Sequence, residues 1–139
     1  MQGDGFVSPF IVHEVDHDGL VLDDGNIRVT AAENSHYVMI PDAVRPAFKT
    51  YSYRIQTPDG VIVFSGDTGP SGAIGGLAKG ADALIAEASY RDDQDLDQSI
   101  NARAARNHWS PVVTKRFRDH FLFEHLDTAR LDKWRQTPG

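Results

Sequence analysis

The sequence predicts an α/β fold: one mixed β-sheet with helices packed on it. Three observations carry that reading. First, Val61-Ile62-Val63-Phe64 is a short apolar, β-branched run, followed by the turn Ser65-Gly66-Asp67-Thr68-Gly69-Pro70, then Ile74, Leu77 and Ala78 at helical spacing, then a second apolar run, Ala83-Leu84-Ile85-Ala86, ending at Glu87. Strand, turn, helix and strand in that order make a βαβ unit. Second, the chain before this unit reads as β-hairpins. Third, the chain after it turns to helical signals, so the sheet is laid down first and the helices last.

Taken in order, residues 6–15, FVSPFIVHEV, read as an extended segment, with Pro9 suiting an edge position. Leu20-Val21-Leu22 and Ile27-Arg28-Val29-Thr30-Ala31 flank Asp23-Asp24-Gly25-Asn26, which is strand, tight turn, strand. The second strand runs into Glu33-Asn34-Ser35-His36. Residues 37–50 form a long connection with Pro41 and Pro46. Tyr51, Tyr53 and Ile55 then alternate with polar residues, as in a half-exposed strand, and Pro58-Asp59-Gly60 turns it into the Val61 run. That run, apolar at every position, predicts a strand buried on both faces. Gly80 stops the helix that follows it.

Residues 91–107 are polar and show no core face beyond Leu96 and Ile100. Ser110-Pro111 is an N-cap followed by proline at the first helical position, and Val113, Phe117 and Phe121 give that helix an i, i+4 apolar stripe. Asp127 or Thr128 caps a last short helix carrying Leu131 and Trp134.

The 139 residues suffice for one domain and not for two, and 40% hydrophobic with 24% charged residues is a soluble globular composition. A net charge of -6 argues against a general nucleic-acid binder, which needs basic surface to displace counterions. With no cysteine there is neither a disulfide framework nor a thiolate metal site, so any metal falls to His, Asp or Glu. No apolar run reaches membrane-spanning length and the start, MQGDGF, lacks a secretory pattern, so a cytoplasmic setting is expected.

Asp67 and Glu87 stand at the carboxyl ends of the two parallel-strand candidates, where ligands of α/β sheets collect, although an Asp in a glycine-flanked turn is also an ordinary turn former. The turn lacks the Gly-Lys-Ser/Thr ending of a phosphate loop, and Thr68 stands where a dinucleotide fingerprint needs glycine, which disfavours a nucleotide-binding βαβ protein. His36 ends a strand, a rim position shared by metal ligands and by plain surface histidines. His13 and His17, in an extended segment, would point the same way about 13 Å apart, too far to share an ion. His108 and His120 read as surface helix residues without an acidic partner, and His125 is set apart by its place before the helix cap.

Tyr53-Arg54-Ile55, then Val63-Phe64-Ser65-Gly66-Asp67-Thr68-Gly69-Pro70-Ser71, then Leu77 through Ser89 resemble the second half of metallo-β-lactamase-fold hydrolases. The resemblance points to the branch of ribonuclease Z and its phosphodiesterase and arylsulfatase-like relatives, and runs from about Gly19 to about Thr128. It implies a partial sandwich, a single partial domain over residues 1–139 without the half that bears His-x-His-x-Asp-His. Asp16-His17 is the sole echo of that motif, with Glu14 and Val12 where histidines would stand. The resemblance implies a two-zinc site in which Asp67 bridges the ions and His36 is a ligand, with Glu87 and His125 as an acid–base pair. The family's last ligand histidine, beyond the final helix, has no counterpart here, and Ala86 stands where relatives often have His.

A bridging carboxylate holds two cations close enough to acidify a shared water, and a Glu accepting from one imidazole nitrogen fixes the tautomer of the other. The implied activity is zinc-dependent hydrolysis of a phosphodiester or related ester, on a small molecule or RNA. The alternative is a non-catalytic remnant acting as an oligomerisation or binding module. Half a sandwich leaves one sheet face open, so a homo-oligomer or a complementing half is the expected partner.

Overall fold

The computed structural model describes residues 11–136, the side chains of 133–136 excepted. The edge position of Pro9 and the packing of Trp134 therefore lie outside the described residues.

Five strands form one sheet in sequence order: β1 (Gly19–Asp23), β2 (Arg28–Glu33), β3 (Tyr51–Thr57), β4 (Gly60–Phe64) and β5 (Ala83–Ile85). The first four pair antiparallel and β5 runs parallel to β4, so the sheet is mixed as the sequence predicts. The hairpin turns are those read from the sequence. In the first, Asp24 Oδ1 accepts the N–H groups of Ile27 at 2.7 Å and Asn26 at 2.9 Å, which closes the loop between β1 and β2. In the second, Thr57 Oγ1 accepts from Asp59 N.

The crossover from β4 to β5 is helix α1 (Gly72–Ala78), capped by Ser71, whose hydroxyl accepts from Ala73 N. Ile74 and Leu77 are buried there, as is Val63 of β4. Arg54 of β3 donates to the carbonyls of Leu77 at 2.5 Å and Lys79 at 3.0 Å, satisfying two oxygens that the end of the helix leaves without partners. A polar position in a strand thus fastens the crossover to the sheet.

The opposite face of the strands departs from the sequence reading. Side chains two apart share a face, and the register sets Phe64 beside Ile85. Ile62, Phe64 and Ile85 are 40%, 39% and 52% exposed, so β4 is covered on one face and open on the other. The apolar run reads as a doubly buried strand because the composition of Val61–Phe64 is what such a strand needs; the chain has no element laid over that second face among the described residues.

After β5 come α2 (Asp93–Asn107), α3 (Pro111–Glu124) and α4 (Thr128–Gln136). Asp92 caps α2 through Asp95 N and His108 closes it in the left-handed conformation, φ 53°, so His108 is a C-cap residue. Leu96 and Ile100 do form the buried stripe of α2, meeting Tyr90, Phe121 and Leu122. The predicted cap of α3 is present, Ser110 accepting from Val113 N. Its stripe is buried only toward the far end, because Val113 and Phe117 stay near 39% exposed. Asp127 is the cap of α4, its Oδ1 accepting from Arg130 N at 2.7 Å.

One pairing positions the site. Residues 89–91 run alongside 126–129: Ser89 N donates to Leu126 O, Thr128 N to Tyr90 O and Ala129 N to Arg91 O. Leu126 and Asp127, both buried, anchor the second of these segments. The end of α3 is thereby carried back to the carboxyl end of β5.

Candidate metal centre

Four loops meet at the carboxyl ends of β4 and β5, and each is held there by its own polar contacts. Asn34, just past β2, is the first organiser. Its amide nitrogen donates to Ser52 Oγ and Ser65 O, and its Oδ1 accepts from His36 N at 3.1 Å. Ser52 is fully buried and donates to Ser65 O at 2.6 Å, so a polar residue near the start of β3 serves the turn after β4.

That turn, Ser65 to Gly69, needs its glycines. Gly66 adopts φ 60°, a left-handed conformation that side chains rarely tolerate. At Gly69 a Cβ would lie 1.8 Å from the carbonyl oxygen of Phe123. The turn therefore packs directly on the end of α3, backbone against backbone, with Asp67 projecting exposed between them and the His36 loop. No hydrogen bond or ion pair engages the Asp67 carboxylate among the described residues.

Glu87 is fixed by four donors. Its Oε1 accepts from Thr68 N at 3.3 Å, Leu126 N at 3.1 Å and His125 Nδ1 at 3.1 Å, and its Oε2 from Ser89 Oγ at 3.0 Å. An oxygen that already takes two amide protons is an acceptor, so Nδ1 of His125 carries the proton and its Nε2 is left as a lone pair. His36 is set by the same logic: its Nδ1 lies 3.0 Å from Glu124 O, a carbonyl that only accepts, which leaves Nε2 as the ligand atom.

His36, Asp67 and His125 each bring a potential ligand atom within 4.8 Å of the other two. The structure thus brings together the histidine and aspartate expected to hold metal, and sets the Glu87–His125 pair on the same spot. Imidazole and carboxylate donors suit a borderline divalent cation, and the Glu87 carboxylate behind His125 fixes that imidazole's tautomer. His13 and His17 take no part in this group.

Two further residues escaped the sequence reading. His120 is not a bare surface histidine: its Nδ1 lies 2.6 Å from Glu124 Oε2 and its Nε2 lies 3.3 Å from Nε2 of His125. Glu124 is buried, and its Oε1 accepts from Met39 N at 2.9 Å, binding α3 to the His36 loop. The signal for both was the i, i+4 spacing of His120 and Glu124, which sets the two side chains together on one helix face.

A family model described as a beta-lactamase superfamily domain matches residues 6–116. The chain belongs to that superfamily. Among curated proteins it is similar to ribonuclease Z of Mycobacterium sp. strain KMS and of strain JLS, each 31% identical over 104 residues. The match takes in 75% of this chain but 33% of the relatives, so the chain spans about a third of their length. No helix among the described residues is long and apolar enough to cross a membrane.

Proposed function

We propose that this chain carries part of the active centre of a metal-dependent hydrolase that cleaves a phosphodiester or a related ester. The observation that carries the reading is the convergence of ligand atoms from His36, Asp67 and His125 within 4.8 Å, with Glu87 hydrogen-bonded behind His125. His36 and Asp67 would hold the cation, zinc in the first instance. A bound divalent ion would supply Lewis acidity and acidify a water. Glu87 keeps the proton of His125 on Nδ1, and Nε2 then serves to move a proton to or from the reacting oxygens. The name of the curated relatives, ribonuclease Z, supports an RNA or smaller phosphodiester as substrate.

His36 and Asp67 are fewer ligands than the three or four of most protein zinc sites. We place the missing ones on a complementing segment or a second copy of the chain. The open apolar strip of Ile62, Phe64 and Ile85 supports this, because it offers such a segment a surface to cover. The test is the zinc content of the purified chain, together with hydrolysis of bis-p-nitrophenyl phosphate, in the native protein and in Asp67→Ala. Stoichiometric zinc that Asp67→Ala removes supports the reading. Zinc content unchanged in that variant overturns it and leaves a binding or oligomerisation module.

A further inference from the structure

In their neutral forms His120 and His125 face each other through nitrogens that have no proton to share. Each imidazole has its Nδ1 committed to a carboxylate, His125 to Glu87 and His120 to Glu124. Each therefore points an Nε2 lone pair toward the other, at 3.3 Å. Two lone pairs at that distance repel unless an electron-poor centre lies between them.

The ring geometry is nearer to that of one shared ion than to a straight proton bridge. A straight N–H···N bridge of this length would hold the ring centroids about 5.6 Å apart. They lie 4.9 Å apart, with the rings at 80° to each other, so the rings are bent off the N···N line. Two imidazoles bound to one ion at a metal–nitrogen distance of about 2.05 Å, with their nitrogens this far apart, subtend about 107° and hold their centroids about 5.1 Å apart. That is the tetrahedral angle, and the observed centroid distance is close to it.

We infer that His120 and His125 form a two-imidazole clip for a borderline transition-metal cation of the Zn2+ or Co2+ class, beside the His36–Asp67 position and sharing His125 with that group. Nitrogen donors backed by carboxylates exclude Mg2+ and Ca2+ as its preferred occupants. His125 is nearly buried, whereas the side chain of His120 is 40% exposed, so the ion enters from the α3 side and completes its shell with water or a ligand oxygen. The clip does not depend on any hydrolytic activity. One consequence does rest on the proposed role of His125: an ion in the clip occupies the same Nε2 that proton transfer would use.

Co2+ titration tests this, read by visible absorption and by competition with a chromophoric chelator. In the full chain carrying His36→Gln and Asp67→Asn, binding of about one Co2+ is expected to remain. Adding His120→Gln should lower its affinity about tenfold or more. Long-range proton–nitrogen NMR of the native protein should show Zn2+ shifting Nε2 of His120 and His125 together. A double variant with no Co2+ affinity, a triple variant that binds as the double does, or Zn2+ shifting His125 without His120 overturns the inference. Because the clip is read in a protein without His36 and Asp67, its failure is separable from failure of the hydrolase reading.

Discussion

Glu87 Oε1 and His125 Nδ1 lie 3.1 Å apart across 38 residues of sequence, and the same oxygen binds the backbone N–H groups of Leu126 and Thr68. One carboxylate therefore orients an imidazole and also ties the turn after β4 to the entry of α4. Glu87→Ala leaves three partly buried donors without an acceptor and is expected to destabilise the fold by about 2–3 kcal/mol, read as a lower thermal midpoint. Glu87→Gln retains an acceptor oxygen and should melt closer to the native protein. It still loses the charge behind His125, so metal affinity or turnover should fall by about 10–100-fold.

Gly69 has no room for a side chain, since a Cβ would fall 1.8 Å from Phe123 O. Both partners are backbone, and neither can rotate away. Gly69→Ala should push α3 off the turn and destabilise by about 3 kcal/mol, with metal affinity lost alongside. Gly72→Ala, where a Cβ meets nothing within 4 Å, serves as the control and should leave both unchanged.

Acid should loosen the first hairpin only below the ordinary carboxylate range. The N–H groups of Ile27 and then Asn26, donating to Asp24, hold its carboxyl below the usual value of 3.8. Arg91, through a side-chain hydrogen bond, does the same for Asp95. A carboxyl whose pKa is depressed by folding contributes stability that is present above its unfolded value and lost as pH falls through its folded one. The loss therefore belongs below pH 3.8 and not in the neutral range. Asp24→Asn should flatten the dependence of urea midpoint on pH in that window; an unchanged slope would count against the assignment.

The strip of Ile62, Phe64 and Ile85 should govern association. Ile62→Lys combined with Ile85→Lys is expected to shift the chain toward monomer in sedimentation velocity while leaving far-ultraviolet circular dichroism intact. A native chain that already sediments as a monomer at micromolar concentration would remove the basis for a complementing partner.

The sequence carried the sheet and the βαβ unit because their signals are local. The turns Asp23–Asn26 and Pro58–Gly60 and the apolar runs of β4 and β5 need nothing distant to be recognised. The loops after β2, β4 and β5 that carry His36, Asp67 and Glu87 follow from the same local order, although β2 stops at Glu33 and His36 lies in the turn beyond it rather than at the strand's end. Helix α2 was missed because its apolar content is little more than Leu96 and Ile100 on a polar helix whose burial depends on Tyr90 just before it and on Phe121 and Leu122 of α3. His120 was missed for a related reason. Its spacing from Glu124 is legible, but its approach to His125 requires the break in direction at the end of α3, where His125 turns extended with φ -132° and ψ 162°. The buried role of Ser52 was likewise hidden, since alternation alone assigns a serine in a strand to the solvent side.

The tie between residues 89–91 and 126–129 has a temporal meaning. The Asp67 turn packs on the end of α3 and His125 follows that helix, so on the ribosome the His36–Asp67–His125 group can assemble only after residues 123–129 have emerged and docked. Cation uptake by this chain would then mark the completion of folding, and nascent or truncated molecules would not compete for the ion.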